Sequence, residues 1–112
     1  MDEFTLQTAL GRVAGLRAAR VGTTAPRVMA LHGWLDNAAS FLPLHAHLPG
    51  LDLVALDMPG HGASDHLPEA AEYTVVNTAR AMFAAADALG WERFSLLGHS
   101  LGGAVASLMA AA

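Results

Sequence analysis

Gly98-His99-Ser100-Leu101-Gly102 fits the pattern G-x-S-x-G. A serine hydroxyl is a weak nucleophile unless a base activates it and donors hold the oxyanion that its attack creates. The setting of these five residues suits that task. Phe94-Ser-Leu-Leu97 is a short apolar run that predicts a strand, and the chain from Leu101 onward predicts a helix. A sharp strand–turn–helix lifts the Ser100 hydroxyl above the sheet in a strained conformation, so the positions two before and two after it must be small. The start of the helix adds free N–H groups and a positive dipole end, with the Leu101 N–H as one oxyanion donor. The same residues also fit a plain tight turn in which Gly98 and Gly102 give flexibility and Ser100 caps the helix. The pattern alone does not choose between the two.

Two further motifs favour the chemistry. Leu31-His32-Gly33-Trp34 follows the apolar run Arg27–Leu31. An H-G-x turn there is able to present the Trp34 N–H as a second oxyanion donor, opposite Leu101. Asp57-Met-Pro-Gly-His-Gly-Ala-Ser64 follows a second apolar run, Leu51–Leu56. It predicts a glycine-rich loop that walls the site rather than reacting.

The elements that must position these residues alternate along the chain. Phe4–Ala9 and Arg12–Ala18 predict an opening hairpin. The runs at Arg27–Leu31, Leu51–Leu56 and Phe94–Leu97 predict buried strands. Between them, Ala38–Leu48 predicts a short helix ended by Pro49-Gly50. Val75–Leu89 predicts a longer one with Val75, Val76, Ala79, Met82, Phe83, Ala86 and Leu89 on its apolar stripe. Thr74 is its expected N-cap, and Gly90 its left-handed C-terminal residue. Alternating strands and helices argue for parallel strands joined by helical crossovers.

Composition bounds the alternatives. The 112 residues are 54% hydrophobic and 14% charged, the opposite of a disordered chain. Six basic residues against ten acidic ones, the basic ones scattered singly, argue against nucleic-acid binding. There is no cysteine. The N-terminal MDEFTLQTAL has acidic residues where a signal peptide needs basic ones, and Leu101–Ala112 is too short to span a bilayer. A cytoplasmic protein with no membrane span is the expectation. His45-x-His47 lacks a third ligand at sensible spacing, so no metal or other cofactor is expected.

The three motifs, in this order and spacing, resemble the α/β-hydrolase fold superfamily. Leu31–Phe41 (LHGWLDNAASF) with Leu96–Gly103 (LLGHSLGG) is similar to the serine hydrolase-like proteins in particular. The resemblance implies a mostly parallel sheet, an opening hairpin then βαβαβ, with flanking helices. It also implies acyl transfer from an ester or similar small-molecule substrate to water. Ser100 would attack, the Leu101 and Trp34 N–H groups would hold the oxyanion, and His99 would flank the nucleophile without being the base. Gly98, Gly102, His32 and Gly33 would shape the site. A serine at this position argues against the branches of the superfamily that use a carboxylate nucleophile.

The chain departs from the family after Ser100. The fold places its triad in the order Ser…Asp/Glu…His, whereas LGGAVASLMAAA holds neither acid nor histidine. Family members are more than about twice this length. The expectation is therefore an N-terminal part of one α/β-hydrolase domain, inactive by itself, with the Phe94–Leu97 edge open. None of His32, His45, His47, His61, His66 or His99 has an expected position that would make it a substitute base. The competing readings are a non-catalytic remnant that binds small apolar ligands or a partner chain, and the same fold working as an acyltransferase or carbon–carbon hydrolase.

Overall fold

The computed structural model describes residues 1–18 and 24–112. Their five strands form one mixed sheet in the order β1-β2-β4-β3-β5. β1 (Asp2–Thr8) and β2 (Gly11–Arg17) form the expected hairpin, paired antiparallel from Asp2↔Arg17 to Thr8↔Gly11. β3 (Arg27–Leu31), β4 (Asp52–Leu56) and β5 (Ser95–Gly98) run parallel to one another, and β2 joins the hairpin to β4 antiparallel. The opening hairpin followed by βαβαβ is the order that the sequence implies.

Successive side chains of a strand point to opposite faces, and β3 and β4 are covered on both. Met29, Leu31, Val54 and Leu56 enter one core with Val13, Met82, Trp91, Val105 and Met109. Ala30, Leu53 and Ala55 enter a second with Ala18, Ala38 and Phe41. The first core lies under α2 (Val75–Leu89) and α3 (Leu101–Ala111). The second lies under a 3₁₀ turn (Ala38–Phe41), which continues into α1 (Leu42–His45) in place of one longer helix. Asn37 caps the turn, its side chain accepting the Ala39 N–H, and Pro43 sits in the first turn of α1. Phe41 packs on the sheet face opposite α2 and α3.

The carboxylate of Asp52 is buried in β4 and is held by the Arg17 guanidinium through two bonds, Nε to Oδ1 at 3.2 Å and Nη2 to Oδ2 at 2.9 Å. A buried charge needs such a partner.

α2 occupies the range its sequence predicts. The Thr74 side chain accepts the Asn77 N–H, and Gly90 adopts φ 73° so that the Trp91 N–H returns to the Ala86 carbonyl. The apolar stripe needs a correction. Thr78, Ala79, Ala81, Met82, Ala85 and Ala86 are buried, while Val76 is 55% and Phe83 37% exposed. Each helical residue turns about 100°. A buried face centred on Met82 therefore leaves Val76 and Phe83 on its flank.

β5 has β3 as its one neighbour and stands at the sheet edge, with Leu96 and Leu97 half-buried. Among the described residues, no helix is long and apolar enough to cross a membrane.

Met82 is fully buried at the centre of the larger core. Met82→Ala is expected to cost about 2–5 kcal/mol, read as a lower urea midpoint at unchanged slope.

Candidate active site

The strand order sets the location. From β3 the chain crosses to β4 on one side, then passes over β3 to β5 on the other. The loops that leave the carboxyl ends of β3 and β5 diverge there, and such a switch point opens a crevice. The Gly33 loop lies on one side of it and the Ser100 turn on the other. Leu31 pairs with Gly98 at the last register position, and the His99 N–H donates to the Leu31 carbonyl at 3.0 Å.

Ser100 sits at φ 56°, ψ −116°, a left-handed conformation that a non-glycine residue adopts at a cost of about 1–3 kcal/mol. Its side chain makes no capping bond to α3. The capped-turn reading therefore fails: the hydroxyl is exposed and uncommitted. Small neighbours permit the geometry. A Cβ on Gly98 would lie 2.5 Å from the Gly102 carbonyl oxygen and 2.6 Å from the Gly103 Cα, and one on Gly102 would collide with the Leu31 and His32 carbonyls. The first turn of α3 thus rests directly on the backbone ends of β5 and β3.

Gly33 faces Ser100. A Cβ there would sit 3.4 Å from both the Ser100 Cβ and the His99 Nδ1. The two N–H groups expected to hold an oxyanion are both uncommitted. The Gly102 N–H turns to the His99 carbonyl and the Gly103 N–H to Ser100, but among the described residues neither Trp34 nor Leu101 donates its N–H to a backbone carbonyl.

His32 is fully buried. Its Nε2 accepts the Met58 N–H at 2.9 Å, which places the ring proton on Nδ1, and Nδ1 donates to the Gly33 carbonyl at 2.6 Å. Burial is the main cause that holds the pKa of His32 below its ordinary value, and the neighbouring His61 adds to it. The His61 ring lies 4.9 Å from that of His32, centroid to centroid, and its Nδ1 is 3.0 Å from the Pro59 carbonyl.

The Asp57–Ser64 loop is a wall held by its own ends. The Asp57 carboxylate accepts the N–H groups of Ala38, at 2.8 Å, and Ala63, at 3.0 Å. The Ser64 hydroxyl donates to the Asp57 carbonyl at 2.6 Å and accepts the Ala14 N–H at 2.9 Å. Asp57 is thereby spent on backbone.

Ser100 and Leu101 open onto a cavity of about 720 Å³. Trp34, Leu35, Met58 and Pro59 form its apolar side, with Trp34 72% and Leu35 80% exposed. Its opposite wall is one that sequence reasoning missed: Tyr73, Thr74, Val75 and Thr78 at the start of α2. The Tyr73 hydroxyl accepts the Leu67 N–H at 2.9 Å, which ties this wall to the loop before it. Nothing in the sequence of α2 marks these positions, because their role comes from the path of the chain over the strand ends. His45 ends α1 and His47 lies exposed beyond it.

A mixed sheet with three parallel strands and a serine on a strained turn after its edge strand, opposite a glycine loop, defines an α/β hydrolase. The family model described as alpha/beta hydrolase fold matches residues 26–112, and the chain belongs to that family. It is 47% identical over 87 residues to a human serine hydrolase-like protein, covering 74% of this chain and 41% of that one. A zebrafish (Danio rerio) serine hydrolase-like protein is 42% identical over 85 residues, covering 75% and 26% respectively. Among solved structures, a hypothetical protein from Pseudomonas aeruginosa PAO1 superposes with a TM-score of 0.90 at 44% identity, covering 98% of this chain and 38% of that one. The chain therefore spans roughly a quarter to two-fifths of the length of these relatives.

Gly98→Ala is expected to push α3 off β5, with a loss of about 1–3 kcal/mol in chemical denaturation.

Proposed function

We propose that this chain carries the nucleophile and oxyanion hole of a serine hydrolase acting on carboxylic esters or similar acyl substrates. The observation that carries the reading is the Ser100 hydroxyl, held in a strained backbone conformation and left without a capping bond. Attack by Oγ forms a bond to the substrate carbonyl carbon and moves the carbonyl electron pair onto oxygen. The Leu101 and Trp34 N–H groups receive that oxyanion, the serine proton passes to a base, and the alcohol leaves with a proton to give an acyl-enzyme. Water then releases the acid.

Among the described residues no imidazole nitrogen hydrogen-bonds the Ser100 hydroxyl: both nitrogens of His32 are committed, and His61 holds Nδ1 at the Pro59 carbonyl with its Nε2 buried and unpartnered. By itself the 112-residue chain then reacts slowly, and the rest of the triad comes from residues outside it. The mostly apolar cavity suits an uncharged acyl group against Trp34, Leu35 and Met58.

The second reading is a non-catalytic remnant that uses the same cavity for small apolar ligands or a partner chain. The exposed apolar side chains of Trp34 and Leu35 beside that cavity are the observation that favours it.

Adding imidazole to the chain supplies the missing base and separates the two. Incubated with an alkyl fluorophosphonate, the chain is expected to be labelled at Ser100, faster as free imidazole is raised, and Ser100→Ala abolishes the labelling. Slow labelling spread over several hydroxyls and indifferent to Ser100→Ala would sink the hydrolase reading.

A further inference from the structure

The buried imidazole of His32 does something that neither the nucleophile nor the cavity explains. It is fully buried and bridges two segments: the Met58 N–H at the start of the wall loop reaches Nε2, and Nδ1–H reaches the Gly33 carbonyl. The Gly33 carbonyl and the Trp34 N–H belong to one planar peptide, in which the two groups point in opposite directions. Fixing the carbonyl on one side fixes the N–H on the other. A second donor, the Asp36 N–H at 3.2 Å, holds the same carbonyl oxygen. Both partners of Gly33 thus act on the peptide whose N–H remains uncommitted and whose glycine faces Ser100.

We propose that His32 is the positioning residue of the oxyanion hole, clamping the Gly33–Trp34 peptide so that the Trp34 N–H is aimed at the developing oxyanion on the Ser100 adduct. The proposal rests on the reading of Ser100 as nucleophile. His32 touches no substrate and acts through Trp34 alone.

The clamp works in one protonation state. Neutral His32 offers Nε2 as an acceptor and Nδ1–H as a donor, which is what Met58 and Gly33 require. A second proton would turn Nε2 into a donor facing the Met58 N–H, and the bridge would part. The ionisable groups that face the ring are His61 on the wall loop, Asp57 at the end of β4 and Asp36 in the Gly33 loop. Burial and His61 favour the neutral ring, while the bond to the Gly33 carbonyl and the two carboxylates oppose them; burial is the largest influence, so the pKa falls. The unfolded chain then takes up a proton near the ordinary value of 6.5 while the folded chain does not. Stability is full above that pH and declines as pH falls below it.

The test is NMR of the isotopically labelled chain. Imidazole nitrogen shifts are expected to show His32 protonated on Nδ1, and its titration midpoint lies below 6.5. The Trp34 amide resonance should move with the midpoint of His32, and in His61→Asn, which removes one cause of the lowered pKa, the two should move together to a higher pH. His32→Phe, which keeps the ring and loses both bonds, should abolish that titration and slow imidazole-assisted labelling of Ser100 by about tenfold or more, toward the roughly 10²–10³-fold cost of a lost oxyanion donor. If His32→Phe fails to fold, the tautomer and the shared midpoint decide the matter. A proton on Nε2, or a Trp34 amide that stays still while His32 titrates, would overturn the proposal. Failure of Ser100 labelling beside an intact shared titration would instead refute the nucleophile reading and leave the clamp as a loop lock.

Discussion

The first turn of α3 lies against the carbonyl ends of β3, and the site depends on how closely it approaches. Gly102 has the Leu31 and His32 carbonyls where a side chain would be, and the His99 N–H closes the gap with a 3.0 Å bond to Leu31. One larger side chain at Gly98 or Gly102 separates helix from sheet, and the Ser100 turn then loses the surroundings that hold its strained backbone. That strain is stable only because the neighbouring structure over-determines it. β5 supplies the turn from below, α3 from above, and β3 from the side. The Gly33 loop leaves the same end of β3 and so faces Ser100 without any further device.

This contact also explains how the wall loop and the crossover helix are arranged. Asp57 and Ser64 tie the glycine-rich loop to Ala38 and Ala14, and Asp57 closes it on Ala63, so the loop is fixed to the hairpin and the 3₁₀ turn rather than to Ser100. The His32 side chain joins that loop to the Gly33 loop. The cavity is therefore bounded on one side by Met58 and Pro59 and on the other by the start of α2, with Ser100 at its edge. Two apolar residues of the Gly33 loop, Trp34 and Leu35, stand largely exposed around it.

Much of this was legible in the sequence where local rules act. Thr74 and Gly90 bracket α2 because capping depends on a few adjacent residues. The runs at Arg27–Leu31 and Leu51–Leu56 read as strands buried on both sides because apolar residues occupy successive positions. Glycine spacing marked the Ser100 turn. Features that depend on distant segments were not legible. Val76 and Phe83 belong to the apolar pattern of α2, yet the position of the sheet exposes them. Phe41 follows the Gly33 loop in sequence and packs on the opposite face. The Arg17 partner of Asp52 lies 35 residues away, and Tyr73 joins the cavity only through the path from β4 to α2. His32 read as a residue that shapes the site; its two bonds depend on where Met58 arrives.

The central claim is that Ser100 and the Trp34 and Leu101 N–H groups form one reactive unit across the switch point. A boronic acid tests it directly, since a serine adduct turns boron tetrahedral and places a charged oxygen where the oxyanion would lie. With butaneboronic acid and the ¹⁵N-labelled chain, a tetrahedral boron signal is expected together with shifts of the Trp34 and Leu101 amides, all absent in Ser100→Ala. Boron that stays trigonal while those two amides remain unmoved would contradict the account.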